Sequence, residues 1–120
     1  MSGNDSISIA VTDRDGIAVL TVGGEVDLAT ISELEAAIDQ ALTQVPTALV
    51  IDLSAVDFLA SAGLQTLVAT QQRVGTSAGF AVVANGPATS RPIQLTGLDQ
   101  IFALYPTLAD ATAALKSGEK

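Results

Sequence analysis

The sequence predicts an α/β fold: a single domain with a mixed sheet of four to five strands, an N-terminal antiparallel hairpin and about four helices. Three observations lead to this expectation. The chain has 120 residues, the size of one domain. Apolar residues alternate with small or polar ones near the start, and two short uninterrupted apolar runs come later, separated by segments of helical periodicity. Such runs are typical of strands covered on both faces, and strand–helix–strand connections make neighbouring strands parallel.

The N-terminal hairpin is predicted from residues 7–12, in which Ile and Val alternate with small or polar residues. Residues 13–16 (DRDG) are turn formers, and the apolar segment 17–22 returns as the second strand. We expect Gly23 and Gly24 to end that strand.

The first helix has the clearest pattern in the chain. Thr30 and Glu33 have the spacing of a capping box, in which each side chain bonds the backbone amide of the other residue. Apolar residues then recur on one helical face up to Val45, and Pro46 stops the helix. The apolar run 48–51 that follows predicts a buried strand.

The rest of the chain continues the alternation of helices and strands. The predicted elements are a helix from about 62 to 74 with Gly75 as its C-cap, a strand over 80–84, a short helix with Pro92 at its first position and Gly97 past its end, a last strand over 101–105, and a helix capped by Thr107 that ends at Lys116. The aromatic residues are assigned to core packing: Phe58, Phe80, Phe102 and Tyr105. One domain over 1–120 follows, with an ordered core of about 5–117.

Composition excludes several classes of function. The chain contains no His and no Cys, so it lacks the residues of Ser-His-Asp and Cys-His catalysis, of disulfides and of the usual zinc sites. Its formal net charge of −8 disfavours contact with nucleic acid phosphates. The sequence shows no secretory signal and no run of roughly 20 apolar residues. We therefore expect a cytoplasmic protein with no nucleic-acid or membrane partner.

Carboxylate and hydroxyl side chains collect at one edge of the predicted sheet. The parallel strands all end at that edge, where ligands and partners of open α/β sheets bind. The segments leaving the strands there carry Glu25 and Asp27, and then Asp52, Asp57 and Ser61. Ten of the 13 acidic residues lie at or before Asp57 with only one Arg among them, so that part of the chain sums to −9.

Ser61 stands at the entry to the second predicted helix, between small residues that leave its hydroxyl accessible. Two interpretations remain open: a plain N-cap that accepts amide hydrogens of the first turn, or a phosphoacceptor whose phosphate is stabilised by the free amides and the positive end of the helix. Two interpretations of the aspartates also remain open. Asp27, Asp52 and Asp57 either hold local turns or form a Mg²⁺ cluster.

Three segments resemble the STAS-domain family, specifically the small stand-alone anti-sigma factor antagonists of bacteria, and the composition is similar to that of actinobacterial members. The segments are residues 24–30 (GEVDLAT), 50–64 (VIDLSAVDFLASAGL) and 95–99 (LTGLD), in the same order as in the family. The second is the specific one. The resemblance implies a single STAS domain that acts by binding protein partners, not as an enzyme, and that uses no cofactor and no metal.

The resemblance also implies a phosphorylation switch. In the family, the serine entering this helix, which Ser61 matches, is phosphorylated by an anti-sigma factor that is itself a serine kinase. The unphosphorylated protein binds that kinase and frees a sigma factor, phosphorylation releases the complex, and a serine phosphatase restores the active form. Asp27 matches the family aspartate beside the phosphorylation site. Partner contact is expected at Asp27, Thr30, Ser61, Ala62, Gly63 and Leu64.

Two positions close to Ser61 depart from the family pattern. Many members have Asp and Ser where this chain has Ala60 and Ala62, so Ser61 is the only phosphoacceptor in the motif and an acidic neighbour is missing. Two other functions stay open: a STAS regulatory module with a non-sigma partner, and a nucleotide-binding module that uses the aspartates with Mg²⁺. We expect a monomer or a weak dimer.

Overall fold

The structure, a computed structural model, describes residues 7–117 as five strands, four α-helices and a short 3-10 turn. The strands are β1 (Ile7–Arg14), β2 (Ile17–Val26), β3 (Ala48–Leu59), β4 (Gly79–Val83) and β5 (Ala103–Tyr105). The helices are α1 (Ile31–Thr43), α2 (Ser61–Val74), α3 (Ser90–Leu95) and α4 (Leu108–Ser117), and the 3-10 turn is Leu98–Gln100. Residues 5 and 6, which the predicted core included, lie outside the described range.

The five strands form one sheet in the order in which they occur along the chain. β1 pairs antiparallel with β2 and each later pair is parallel, which confirms the predicted mixed sheet and its N-terminal hairpin. Right-handed crossovers that always advance in one direction bring α1, α2 and α3 to the same face. The carboxyl ends of β2, β3 and β4 therefore meet at one edge, as predicted.

Helices cover both faces of the sheet. One face packs against Leu34 of α1, Leu67 of α2 and Ile93 of α3, and the other packs against Ala111 of α4. Residues 48–51 are each at most 4% exposed because alternate side chains enter the two layers. Burial on both sides explains why this strand is an uninterrupted apolar run.

β2 does not end at the two glycines, so that prediction is wrong; the strand runs on to Val26. A Cβ on Gly23 would lie 3.0 Å from Ser8 Oγ and 3.3 Å from Ala55 Cβ, and the absent side chain lets three strands pass side by side there. Gly24 has φ +89°, next to a register shift between β2 and β3.

β3 continues to Leu59, far beyond the predicted 48–51 strand, and it contains two register shifts against β2. At the first shift β3 has one residue more than β2 between Asp52 and Ala55. The buried Asp52 carboxylate holds this bulge, since its Oδ1 accepts hydrogen bonds from Ser54 N (3.0 Å) and Ser54 Oγ (2.7 Å). A period-2 pattern does not continue through a bulge, which is why the sequence pattern missed the second half of the strand.

α1 differs from its prediction at both ends. It stops at Thr43 and Val45 has φ +52°, a left-handed conformation that no helix continues through. Thr30 is the N-cap, but the predicted capping box is not formed, because the Thr30 side chain makes no capping hydrogen bond. Glu33 N instead donates to the Thr30 carbonyl oxygen at 3.0 Å.

The remaining differences are small shifts of element ends. α2 begins at Ser61 instead of about 62, β4 spans Gly79–Val83 instead of 80–84, Pro92 is the third residue of α3 and not the first, and β5 begins at Ala103 instead of 101. Gly75 is the predicted C-cap of α2, but its φ of 56° and ψ of −122° are not those of the left-handed α conformation that was expected. Gly97 follows the end of α3 as predicted, and Thr107 Oγ1 accepts a hydrogen bond from Asp110 N, which confirms the cap of α4. Within residues 7–117 no helix is both long enough and apolar enough to cross a bilayer.

Replacing Asp52 by Ala should lower the free energy of unfolding by about 1–3 kcal/mol, because it leaves the Ser54 amide at the bulge without its acceptor. Asp57→Ala is the matched control: it removes the same charge from an exposed position of the same strand and should change stability by less than about 0.5 kcal/mol. Urea unfolding measures both. Equal effects of the two substitutions would contradict the role given to Asp52.

Candidate functional site

A backbone hydrogen bond joins the ends of β2 and β3 where α2 begins. Ala60 N donates to the Val26 carbonyl oxygen at 2.8 Å, and the register pairs Val26 with Leu59. Asp27 directly follows one partner of this bond and Ser61 the other. The structure therefore brings together the two residues that the sequence singled out at this edge of the sheet.

Ser61 is the exposed first residue of α2. The N-cap is Ala60, with φ −85° and ψ 171°, so the interpretation of Ser61 as the N-cap is wrong. Among residues 7–117 nothing accepts or donates a hydrogen bond to the Ser61 hydroxyl, and the amides of Ser61 and Ala62 have no acceptor there either. The start of α2 thus presents a hydroxyl beside two free backbone donors at the positive end of a helix.

Gly63 lets the first turn of α2 lie directly on the strand ends. A Cβ at this position would be 2.6 Å from Leu59 Cδ1 and 2.8 Å from Val26 Cγ1, closer than side chains approach each other. Its backbone φ is not in the positive region, so the requirement is for space and not for conformation. Gly63 is buried, and Ala62 and Leu64 on either side of it are partly exposed.

Asp27 organises the loop between β2 and α1. Its Oδ1 accepts hydrogen bonds from Ala29 N (3.0 Å) and Thr30 N (3.2 Å), and its carbonyl oxygen accepts one from Ile31 N (2.9 Å). The interpretation of Asp27 as a residue that holds the turn before the helix is confirmed. Its Oδ2 accepts no hydrogen bond within the described residues and the side chain is partly exposed.

Thr30 closes the same loop from inside. It is 3% exposed, its Oγ1 accepts a hydrogen bond from Asp27 N at 3.0 Å, and the hydroxyl donates to the carbonyl oxygen of Glu25 at 3.0 Å. The hydroxyl that the sequence assigned to a capping box is therefore used to fix the shape of the loop that carries Asp27.

The three aspartates of the proposed Mg²⁺ cluster have separate environments. Asp27 and Asp52 each bond the backbone of their own loop, while Asp57 is exposed. Over the range 7–117 no group of three or more His, Cys, Asp or Glu side chains is arranged to hold a metal ion. The turn interpretation accounts for Asp27 and Asp52.

Two apolar side chains near the site were missed by the sequence analysis. Leu28, beside Asp27, is 82% exposed, and Phe58, which pairs in register with Glu25, is 52% exposed, so its assignment to the core is wrong. Phe80 and Phe102 do pack in the core, in an edge-to-face contact with centroids 6.0 Å apart. The sequence signal for Leu28 was an apolar residue inside a turn. For Phe58 there was no signal, because a register shift does not appear in the hydrophobic pattern.

Gly63→Ala should destabilise the protein by about 1–3 kcal/mol, because the added methyl group overlaps Val26 and Leu59 and α2 must move outward. Gln65→Ala, an exposed change in the same helix, is the control and should stay within about 0.5 kcal/mol of the wild type. Denaturant unfolding followed by circular dichroism gives both values. A neutral Gly63→Ala would show that the junction tolerates the extra volume.

The chain resembles proteins of known family over nearly its whole length. A family model described as the STAS domain matches residues 8–111. The anti-sigma-F factor antagonist RsfB of Mycobacterium tuberculosis is 52% identical over 118 residues, which cover 98% of this chain and 97% of RsfB. A crystal structure of an anti-sigma factor antagonist from Mycobacterium paratuberculosis has 54% identity and a TM-score of 0.92, with 98% of this chain and 100% of that chain covered.

A more distant match shows the fold alone. The anti-sigma-factor antagonist (STAS) domain protein from Planctomyces limnophilus is 21% identical, with a TM-score of 0.75 over 89% of this chain and 96% of that one. The family match includes the segments 24–30, 50–64 and 95–99, and the relatives of more than half identity are mycobacterial, which confirms the actinobacterial resemblance. This chain belongs to the STAS-domain family.

Proposed function

We propose that this protein is an anti-sigma factor antagonist, which binds an anti-sigma factor with serine kinase activity and thereby frees a sigma factor. Two mycobacterial proteins that are 52% and 54% identical to it over nearly the whole chain bear the name anti-sigma factor antagonist. The observation that carries the proposal is the exposed Ser61 hydroxyl, which bonds no other group within residues 7–117. Sigma factors act in the cytoplasm, so the proposed site of action is cytoplasmic. The proposed role is binding of a protein partner and is therefore non-enzymatic.

The proposed contact surface surrounds the junction of β2, β3 and α2. Ser61 is exposed there, and Asp27, Ala62 and Leu64 are partly exposed. Thr30 and Gly63 are buried and act on the partner through the backbone that they position. The surface therefore consists of the start of α2 with the carboxylate of Asp27 beside it. The small residues on either side of Ser61 leave its hydroxyl open to a kinase active site.

Leu28 and Phe58 add the apolar part of this surface. Large side chains that become fully desolvated dominate the free energy of most interfaces. Burying one such side chain contributes about 1.5–3 kcal/mol. Because both side chains are exposed, the partner gains affinity from apolar contact with them while Ser61 decides whether the contact forms.

Phosphorylation of Ser61 transfers the γ-phosphoryl group of ATP to the serine hydroxyl. The bond between Ser61 Oγ and the γ-phosphorus of ATP forms as the bond from that phosphorus to ADP breaks, and a base of the kinase takes the hydroxyl proton. The phosphate then lies at the start of α2, where the free amides of Ser61 and Ala62 donate to it. The phosphatase reverses this by hydrolysis, with water supplying the oxygen to inorganic phosphate.

The free energy available to the switch is sufficient without a conformational change. A phosphate adds about −1.5 to −2 charges, and each unit charge that faces a like charge at roughly 6 Å costs about 0.7–3 kcal/mol for effective dielectric constants between 80 and 20. A few kcal/mol corresponds to a tenfold to several hundredfold change in affinity. Local repulsion at the interface is enough to release the partner.

Ser61→Glu should weaken binding to the anti-sigma kinase by about tenfold to several hundredfold, whereas Ser61→Ala should bind as the wild type does, because the side chain caps nothing. Calorimetric titration against the anti-sigma kinases of the same genome measures the affinities, and mass spectrometry after addition of ATP locates the phosphate. Gln65→Glu places the same charge one turn further along α2 and should change affinity by less than about threefold.

Each result of this titration has a definite meaning. Equal affinity of the phosphorylated and unphosphorylated forms would contradict the switch. Binding that is indifferent to residue 61 would leave the antagonist role with its regulation elsewhere. Failure to bind any of these kinases would contradict the proposed partner and point to a STAS module with a non-sigma partner.

Asp27→Asn separates the loop-forming role of this residue from a role in binding. The amide oxygen can still accept the two backbone hydrogen bonds of Oδ1, so the melting temperature should remain within a few degrees of the wild type. If the charge meets a basic group of the kinase, affinity should fall by roughly tenfold. Thermal melting and calorimetry give the two values, and unchanged affinity would restrict Asp27 to its structural role.

A further inference from the structure

β1 leaves one long side of the sheet open. It is the first strand in the sheet order, and along residues 7–117 no strand pairs with its outer side. The opposite edge strand, β5, has three residues, whereas β1 has eight. Proteins protect long edges with charges, Pro or bulges. The first six residues of β1 contain no charge and no Pro, and β1 pairs with β2 without a register shift.

A groove beside this edge has room for side chains of an added strand. It has a volume of ≈ 690 Å³ and lies between β1 and α1. Ile9 and Val11 form its strand side, and Ala36 and Ala37 form its helix side. Val11 is 52% exposed, although Ile7 and Ile9 on the same face of β1 pack against the core. The small alanines leave the apolar floor accessible from the open edge.

The rim of the groove is acidic. Glu33 and Asp39 of α1 line it, and no Lys or Arg among residues 7–117 does. Asp39 forms an ion pair with Arg73, whereas Glu33 has no ion pair in the described part of the chain. An occupant of complementary charge carries Lys or Arg where it passes α1.

This charge pattern decides against a second copy of the chain as the occupant. Two β1 strands paired antiparallel about a two-fold axis would place both α1 helices on the same side of the joined sheet. Each copy would then bring its own acidic rim to the shared groove, with the unpaired Glu33 of both copies on the same side of the sheet. Each copy also has a formal net charge of −8, which adds to the repulsion.

We propose that the free edge of β1 binds an extended segment of a partner protein as a sixth strand, with apolar side chains over Ile9 and Val11 and basic side chains beside Glu33. Main-chain hydrogen bonds to the open edge supply affinity, and the groove selects the side chains on one face of the added strand. The surface is formed by β1 and α1 and shares no lining residue with the proposed contact surface around Ser61.

The probe is a synthetic peptide with the sequence Lys-Thr-Val-Thr-Val-Thr-Lys-Thr, which places Lys and Val on one face of a strand and Thr on the other. Calorimetry should show saturable binding to the wild-type chain, and hydrogen exchange should show slower exchange of β1 amides in the complex. Glu33→Lys should weaken binding by roughly tenfold and Val11→Lys should abolish it. Glu35→Lys makes the same charge reversal on the side of α1 that faces α2, and it should change affinity by less than about twofold.

A second peptide with Glu in place of both Lys should not bind, and one with Pro in place of the two central Thr should not bind either, because Pro cannot complete the strand pairing. No binding of the Lys peptide at about 1 mM, equal binding of the Glu peptide, or protection outside β1 would overturn the proposal. A concentration-dependent dimer that Val11→Lys dissolves in sedimentation would also overturn it, since a second copy would then occupy the edge.

Discussion

The candidate site depends on one close contact, the first turn of α2 lying on the ends of β2 and β3. The hydrogen bond from Ala60 N to the Val26 carbonyl oxygen joins the two backbones, and Gly63 lacks a Cβ where Val26 and Leu59 fill the space. Protein interiors are close-packed, so such a contact has little room for adjustment. Both the exposure of Ser61 and the position of Asp27 follow from it. Any function of Ser61 therefore rests on a buried glycine two residues away.

The aspartates of this edge illustrate how an acidic sequence is compatible with a compact fold. Asp27 and Asp52 each accept hydrogen bonds from backbone amides of their own loops, which satisfies the charge where it is partly or fully buried. Asp57 and Glu25 remain in water. The acidic half of the chain thus contains carboxylates that hold loops and carboxylates that are solvated. A loop-forming carboxylate can also bind a partner only where, as in Asp27, an oxygen without a hydrogen bond is accessible.

The sequence was a good guide to the elements and a weaker one to their ends. Buried apolar runs, turn formers and helical periodicity predicted the N-terminal hairpin and the parallel strands of the mixed sheet, because these patterns report burial directly. They could not predict that β3 passes through Asp52 in a bulge, since a bulge shifts the alternation by one residue. The same limit hid the exposure of Phe58. At the site, the motif around Ser61 identified the residue, but its N-cap interpretation failed because Ala60 enters the helix in an extended conformation without a side-chain bond.

Because Ala60 is the N-cap of α2, the Ser61 side chain has no part in holding the helix together. A modification of that hydroxyl therefore breaks no hydrogen bond of the fold, and it does not by itself open the chain to proteolysis. Modification would then not shorten the lifetime of the protein. The ratio of the two forms would report only the opposing rates of the enzymes that add and remove the group, which lets one pool of protein store a signal for as long as those rates hold.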